Sequence, residues 1–201
     1  CVYVGIEFLS ISDIFQHYAF EILKNKQNKI YNPLLNSSNQ IEAVDLVIPT
    51  YNESVDILRS TLLCALEIEW DNLTINILDD GSRSEVRELA LELNVRYFCR
   101  DSNAGAKAGN MNAALPHLDG DFIAILDADF CAYRSFIKRA MIAMSDARVG
   151  CVQFPQTFYN ADVTQNNSKL FNDFRAEQWL WYHVVLPSRD KIDLATSCGS
   201  C

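Results

Sequence analysis

The sequence predicts an α/β domain, built on a mostly parallel, doubly wound sheet with helices on both faces. Three observations predict it. Short apolar runs alternate with longer amphipathic segments from Ile41 onward, polar clusters follow the apolar runs, and Phe122–Leu126 has the apolar character of a strand buried on both faces. The chain has 201 residues, 49% of them hydrophobic, so it is long enough to bury one sizeable core.

The predicted elements alternate along the chain. Strands are expected at Val44–Ile48, Thr74–Leu78, Val95–Cys99, Phe122–Leu126 and Gly150–Phe154, and helices at Val55–Ile68, Arg83–Leu93, Ala106–Leu115, Tyr133–Met144 and Gln165–Leu186. Because a helix joins each of the first strands to the next, those strands are expected to run parallel.

The chain before Ile41 differs from the rest. Residues 1–23 are rich in large apolar side chains, but polar ones recur every three or four positions and form one stripe on a helix: Glu7, Ser10, Asp13, His17 and Glu21. We therefore predict an amphipathic or membrane-proximal helix over residues 1–30. A surface helix, an interfacial helix and the end of a membrane span all fit this pattern. The turn-rich residues 31–40 are predicted to be a linker, and residues 41–201 the globular domain.

The charge of the chain argues against one class of partner. The formal net charge is -9, with 17 basic and 26 acidic side chains. Nucleic-acid phosphates require a basic surface, and the sequence contains no stripe of lysine and arginine. We therefore expect no nucleic-acid partner.

Two acids end the apolar run Phe122–Leu126. If the strand extends through Asp129, its period of two places the carboxylates of Asp127 and Asp129 on one side of its C-terminal end, where open α/β sheets bind ligands. Two convergent carboxylates favour a hard cation, Mg²⁺ or Mn²⁺, with coordination positions left for phosphate oxygens. The alternative is a chance Asp-x-Asp in which Asp129 caps the next helix.

Three other strand ends carry distinctive polar residues. After the first strand, Tyr51 can stack on a base and Glu53 can accept its N–H groups, although a turn with a helix cap would look the same. After the second strand, Asp79 and Asp80 can accept from a pyrimidine N–H, or merely form a turn. After the third strand, Lys107 and small residues at a predicted helix start form a seat for a diphosphate, or a loop with a solvated lysine.

The order of these motifs carries a resemblance. Along the chain the sequence reads PTYNE at 49–53, DDGS at 79–82, KAGNMN at 107–112 and DAD at 127–129. In this order the motifs resemble the family-2, cellulose-synthase-like processive glycosyltransferases, over about residues 41–201. Residues 153–160 are similar to the family's segment after its fifth strand. Cys198, Gly199 and Ser200 are similar to its acceptor-side Cys-Gly-Ser.

The resemblance implies a GT-A fold, whose nucleotide-binding half is Rossmann-like. The residues that it implies for the nucleotide sugar are Thr50, Tyr51, Glu53, Asp79, Asp80, Lys107 and Asp127. Among them the tyrosine and the glutamate are expected to flank the uracil, the aspartate pair to hold the nucleoside, and the lysine to contact the diphosphate. Asp129, together with Asp127, is implied as the ligand of the Mg²⁺ or Mn²⁺ ion.

The same resemblance implies a reaction and a location. Members of the family are hexosyltransferases that move a sugar, with inversion, from a UDP-sugar to the growing end of a polysaccharide acceptor. UDP-glucose is the expected donor here. The resemblance also implies a membrane protein, held in the plasma or bacterial inner membrane through flanking helices, with this domain on the cytoplasmic side. Lysines at positions 24, 26 and 29, beside an apolar segment, are typical of that side.

The resemblance also implies what lies further along. The family takes its general base from a Thr-Glu-Asp that follows the Cys-Gly-Ser, and then has a Gln-x-x-Arg-Trp. We expect both beyond Cys201, and we interpret the chain as a fragment that binds donor in part. No catalytic base is therefore assigned within it.

Two rival functions fit parts of the pattern. Haloacid-dehalogenase-like phosphotransferases also place Asp-x-Asp after an apolar strand, with the first aspartate as a phosphoryl nucleophile, but Ala132 does not match their continuation. A non-catalytic domain that only binds nucleotide sugars is the other alternative.

Overall fold

The computed structural model describes residues 42–156 and 181–191, together with Leu194 and Ser197. Residues 42–152 belong to one compact unit, and the described residues from Gln153 onward belong to a second. The predicted helix over residues 1–30, the linker over 31–40 and the acceptor-side Cys198–Ser200 lie outside the described residues.

The elements follow the predicted alternation. The strands are β1 (Val44–Thr50), β2 (Leu73–Asp79), β3 (Arg96–Cys99) and β4 (Phe122–Ile125). The helices are α1 (Val55–Leu66), α2 (Ser84–Glu92), α3 (Ala106–Ala114), α4 (Phe136–Met144) and α5 (Leu186–Asp190). A 3-10 turn, Leu115–His117, follows α3, and a π-helical turn, Trp181–Val185, precedes α5.

The four strands form one parallel sheet in the order β3-β2-β1-β4. Strands β1 and β2 pair along their whole length, so that Thr50 and Asp79 lie side by side at their carboxyl ends. The chain moves outward from β1 to β3 and then returns to place β4 on the other side of β1. Ligands of doubly wound sheets bind at such a reversal of strand order, here between β1 and β4.

Helices cover both faces of the sheet, as predicted. Val47 and Leu78 point to one face and form a core cluster with Ala114 of α3. Ile48 and Ile77, one position along in the pleat, point to the other face and are fully buried. Right-handed crossovers place α1 and α2 on this second face and α3 on the first, because α3 connects strands on opposite sides of β1.

The strand before the two acids is different from the prediction. Strand β4 ends at Ile125, pairs only with β1 among the described strands, and leaves Ile123 42% exposed. The expectation of a strand buried on both faces is therefore wrong for this segment. Strand β1 has that character instead, since all seven of its residues are buried and the strand lies between β2 and β4.

The predicted strand Gly150–Phe154 is also wrong. These residues are not in a strand and pair with no strand in the described part of the chain. A short apolar segment gains little as a strand unless another strand supplies hydrogen-bond partners. Of the predicted helix Gln165–Leu186, only the π-helical turn and the start of α5 are described, and α5 continues to Asp190. Within the described residues, no helix combines the length and the apolar character needed to cross a membrane.

Candidate functional site

The carboxyl ends of β1 and β2, the start of α3 and the loop after β4 surround a cavity of about 300 Å³. It lies where the strand order reverses. Its lining residues are Pro49, Thr50, Tyr51, Glu53, Asp80, Asn103, Ala106, Lys107, Asn110, Asp127, Ala128 and Asp129. A wider groove of about 1050 Å³ adjoins it and shares Tyr51, Glu53, Asp80 and Asn103 with it. Of the eight predicted donor-site residues, only Asp79 lines neither space.

The segment after β1 is organised around the carboxylate of Glu53. Its Oε2 accepts hydrogen bonds from the Thr50 hydroxyl at 2.7 Å and from the Tyr51 backbone N–H at 2.8 Å. Burial opposes ionisation, but these hydrogen bonds, together with the charge of Arg83, outweigh it and hold the pKa of Glu53 below its ordinary value. Tyr51 is 51% exposed at the boundary between cavity and groove. A flat apolar face is thus available there for stacking.

The carboxylate of Asp79 lies beneath the cavity. It is fully buried, and it accepts from the backbone N–H groups of Gly81 and Arg83, from the Arg83 Nε and from the Tyr97 hydroxyl, at 2.7 to 3.2 Å. We expected Asp79 to contact the nucleoside directly, but its carboxylate is buried and lines neither the cavity nor the groove. A buried carboxylate requires hydrogen-bond donors, and those of Asp79 all come from the protein itself.

Arg83 connects the segments after β1 and β2. Besides Asp79, its guanidinium donates to the Glu53 carbonyl at 2.6 Å and to the Thr50 hydroxyl at 2.8 Å. A Cβ at Gly81 would lie 2.6 Å from the Tyr51 carbonyl oxygen, so the two segments also meet where only glycine fits. The tyrosine and glutamate motif is therefore held in place by the motif after the second strand.

Asp80 forms a two-bonded ion pair with Arg100. The distances are 2.5 Å to Nε and 2.8 Å to Nη2, and the side chain of Asp80 is only 5% exposed. The same guanidinium donates to the carbonyls of Ala104 and Ala106 at 2.8 and 3.1 Å. Asp80 lines the cavity, and through Arg100 it also fixes the loop that leads to Lys107.

That loop enters α3 through an unusual backbone. Gly105 and Ala106 both have positive φ, 74° and 47°, a region that costs energy for alanine. A Cβ at Gly109 would lie 2.0 Å from the Ala104 carbonyl oxygen, so the loop rests directly on the helix. Lys107 emerges in the first turn of α3, where its ammonium group contacts the Asp127 carboxylate. Lysine and aspartate both line the cavity.

Asp127 and Asp129 lie in a turn and not in the extended strand from which their positions were predicted. The extended backbone stops before them, and the Phe130 N–H donates to the Asp127 carbonyl at 3.1 Å to close a turn. Both acids nevertheless line the same cavity. Ala128, between them, is buried, and its carbonyl accepts from the Thr61 hydroxyl of α1 at 2.7 Å.

The two acids suit a hard divalent cation. Asp129 is exposed and accepts no hydrogen bond from any described residue, and Asp127 shares one oxygen with Lys107. Carboxylate oxygens are the donors that Mg²⁺ and Mn²⁺ prefer. In the described part of the chain no three His, Cys, Asp or Glu side chains cluster closely enough to hold a metal alone. Two carboxylates leave coordination positions of such a cation open to other oxygen ligands.

Several residues that shape the site were not predicted. They are Thr61, Arg83 and Arg100, together with Asn110, whose amide donates to the Leu78 carbonyl at 2.8 Å and fastens α3 to β2. Arg83 follows the acidic motif at 79–82, and Arg100 follows the end of β3. An arginine at such a position, near acids at the neighbouring strand ends, is a recognisable candidate for an ion pair. For Thr61 the signal is weaker: a β-branched polar residue on the buried side of a helix.

The sequence is similar to those of known glycosyltransferases. The sequence matches the family model described as glycosyl transferase family 2 over residues 45–201. It is 37% identical over 194 residues to the cellulose synthase catalytic subunit (UDP-forming) of Xanthomonas axonopodis pv. citri (strain 306), covering 92% of this chain and 27% of that protein. It is 40% identical over 172 residues to the cellulose synthase 1 catalytic subunit (UDP-forming) of Komagataeibacter xylinus, covering 84% and 23%. The chain thus spans about a quarter of the length of these relatives.

Solved structures include chains similar to this one. One of them is a mannosyltransferase from Pyrobaculum calidifontis in complex with GDP-Man and Mn²⁺, with a TM-score of 0.56 and 25% identity over 71% of this chain and 43% of that chain. The family match decides against the haloacid-dehalogenase-like alternative. The chain belongs to glycosyl transferase family 2 and has the α/β fold of the GT-A glycosyltransferases.

Proposed function

We propose that the protein containing this chain transfers a sugar, with inversion, from a UDP-sugar to the end of a growing polysaccharide. It is then a hexosyltransferase related to the cellulose synthases, and UDP-glucose is the proposed donor. The names of the two relatives, UDP-forming cellulose synthase catalytic subunits, support both the donor and the acceptor.

One observation carries this proposal. Tyr51, Lys107, Asp127 and Asp129 come from three separate segments of the chain and line one cavity. An aromatic face, an ammonium group and a pair of carboxylates suit the three parts of a nucleoside diphosphate with its cation: base, phosphates and metal. No single motif is specific for a nucleoside diphosphate, but the four residues together around one cavity are.

The residues divide the work of donor binding. We propose that Tyr51 and Glu53 hold the base, that Lys107 balances charge on the diphosphate, and that Asp80 acts on the nucleoside side of the cavity. Asp79 supports this arrangement from below through Arg83. When sugar transfer breaks the bond to the diphosphate, negative charge grows on the leaving group, and the fixed ammonium group of Lys107 stabilises it.

We propose that Asp129 and Asp127 hold Mg²⁺ or Mn²⁺ together with the donor phosphates. The Mn²⁺ in the similar mannosyltransferase complex supports a divalent ion. When bound, such an ion supplies Lewis-acid stabilisation of the leaving diphosphate. We assign no residue in the described ranges as the general base for the acceptor.

We also propose a setting for the domain. The lysines at 24, 26 and 29 support a position next to a membrane, on its cytoplasmic side. Cys198, Gly199 and Ser200 are proposed to face the polysaccharide acceptor, because this triplet resembles the acceptor-side motif of the family.

Titration of UDP tests the assignment of Asp129. Wild-type chain is expected to bind UDP at least about tenfold more tightly with Mn²⁺ than with EDTA, which corresponds to about 1.4 kcal/mol. Asp129→Ala is expected to lose this gain because the cation loses an exposed carboxylate ligand. Isothermal titration calorimetry, with and without metal, measures both affinities.

Asp71→Asn is the matched control. Asp71 is exposed in the turn before β2, at the opposite end of the sheet, and its substitution removes the same charge. This variant is expected to keep the full metal gain. Equal UDP affinity with and without metal in wild type would remove the metal assignment and favour a domain that only binds nucleotides.

A further inference from the structure

The turn that carries the two acids is attached to a helix far away in the sequence. Thr61 lies in α1, 67 positions before Ala128, and its side chain donates to the Ala128 carbonyl at 2.7 Å. Thr61 is 1% exposed and Ala128 is 3% exposed. This is a buried hydrogen bond between a helix and the residue that separates Asp127 from Asp129.

The helix itself does not explain a threonine at this position. Threonine is a weaker helix former than alanine or leucine, because its branched side chain is restricted against the preceding turn. Inside a helix its hydroxyl usually bonds back to a carbonyl of the same helix. Thr61 instead donates across to Ala128, which leaves neither the buried hydroxyl nor the buried carbonyl without a partner. The hydroxyl of Thr61 therefore serves the turn that contains Ala128 and not its own helix.

Three hydrogen bonds fix the turn along its length. The Leu126 N–H donates to the Val47 carbonyl at 3.1 Å where the chain leaves β4, and the Phe130 N–H closes the turn onto Asp127. Thr61 holds the middle carbonyl. Because the peptide group after Ala128 is planar, fixing its oxygen also fixes the Cα of the next residue, Asp129. Asp129 has no side-chain hydrogen bond from the described residues, so its direction depends on its backbone.

We propose that Thr61 is a positioning residue of the cation site. Its hydroxyl holds the Ala128 carbonyl so that Asp127 and Asp129 present their carboxylates together to Mg²⁺ or Mn²⁺. This inference rests on the proposed function, in which those two acids hold the metal. It assigns a role to α1. No residue of this helix lines the cavity, and only its first residue, Val55, lines the groove.

The test separates metal-dependent from metal-independent UDP binding. In Thr61→Val the shape is kept and the O–H is lost, so the gain in UDP affinity from Mn²⁺ is expected to fall about tenfold, as for other residues that orient metal ligands. UDP affinity in EDTA is expected to stay at the wild-type value. Thr61→Ser keeps the hydroxyl and is expected to restore the gain to within about twofold.

Two more variants make the result decisive. Ser60→Ala is the control from the adjacent position of α1, where an exposed hydroxyl donates to the Asp56 carbonyl of its own helix, and it is expected to behave as wild type. Thr61→Ala removes the same hydroxyl with a smaller side chain, and gives the answer if the valine variant does not fold. Circular dichroism checks the folding of each variant.

The outcomes are distinct. A full metal gain in Thr61→Val or Thr61→Ala overturns the inference, as does an equal loss of UDP affinity with and without metal, which indicates only a structural role. A wild-type chain without any metal gain overturns the proposed metal site itself. Loss of the metal gain alone, with rescue by serine, supports the inference.

Discussion

Glu53 shows how neighbouring groups set the behaviour of one residue. Burial opposes its charge, yet donors from Thr50 and Tyr51 and the nearby Arg83 lower its pKa overall. Its folded state therefore binds a proton less readily than its unfolded state. The stability that this difference contributes is present above the ordinary glutamate pKa of about 4.3 and is lost as the pH falls below it.

We expect Glu53→Gln to weaken the pH dependence of stability. The variant lacks the titrating group, so its free energy of unfolding should decrease less than that of wild type between neutral pH and about pH 3, a range that extends below the ordinary glutamate pKa. Urea denaturation at several pH values measures the slope. Glu88→Gln, at an exposed position of α2, is the control and should keep the wild-type slope. Identical slopes in all three proteins would contradict the assigned environment of Glu53.

Single residues also show what sequence reasoning reaches. Tyr51, Glu53, Lys107 and Asp127 could be singled out because each residue type has a chemistry that its motif makes recognisable. The supporting partners were not predicted, since Arg83 reaches Thr50 across 33 positions. A local pattern holds no information about pairing over that distance, and for the same reason it did not predict that the Asp79 carboxylate is buried.

The loop between β3 and α3 depends on one arginine. Arg100 joins the carboxylate of Asp80 to the carbonyls of Ala104 and Ala106, and it thereby holds a backbone that passes through positive φ. The planar guanidinium can serve several acceptors at once, whereas a lysine ammonium keeps the charge but not this geometry. The position of Lys107 at the start of α3 follows from this arrangement.

Replacing this arginine is expected to loosen the loop. In Arg100→Lys, hydrogen exchange of the amides in residues 101–107 should become about tenfold faster, which corresponds to the loss of roughly one net hydrogen bond. Arg59→Lys alters an ion pair with the same two-bonded geometry, to Glu92 between α1 and α2, and should leave these amides unchanged. Exchange mass spectrometry makes the comparison, and equal rates in both variants would show that Arg100 does not hold the loop.

At the level of elements, periodicity was sufficient where an element has an apolar face of its own. Helix α1 was predicted from Val55 to Ile68 and extends from Val55 to Leu66, because its apolar positions recur on one side. The strand predicted at Gly150–Phe154 does not form, since a strand also requires a neighbour, and no local pattern specifies one. The acids at 127 and 129 share a cavity through a turn, which alternation along a strand does not describe.

The whole sheet has two ends with separate roles. The carboxyl ends of its strands carry the cavity, while a buried network at the amino ends is centred on Asp45. This carboxylate accepts from the Asn76 amide at 2.7 Å and from the backbone N–H groups of Asp119 and Gly120 at 2.9 and 2.7 Å. It thereby joins β1, β2 and the chain entering β4, so that the three strands begin in register.

This division predicts a variant that changes stability alone. Asp45→Ala leaves the backbone N–H groups of Asp119 and Gly120 without this acceptor and removes one acceptor of the Asn76 amide, so it is expected to lower the free energy of unfolding by about 3 kcal/mol. UDP affinity of the folded protein should remain at the wild-type value, because the network lies at the far end of the strands. Urea denaturation and calorimetry measure the two quantities.

Asp119→Asn is the control for that experiment. Its side chain is 93% exposed in the same segment, so a change in stability within about 0.5 kcal/mol is expected. A large loss of UDP affinity in folded Asp45→Ala would show that the two ends of the sheet are coupled.

Because the four strands are parallel, the loops of the proposed donor site all lie at one edge of the sheet. New ligand preferences can therefore be sought by varying those loops while the residues at the opposite edge are left unchanged. The contact between Gly81 and the Tyr51 carbonyl limits this freedom, since that junction accepts no side chain. Selection for other donors is therefore expected to leave Gly81 unchanged and to act on other residues that line the cavity.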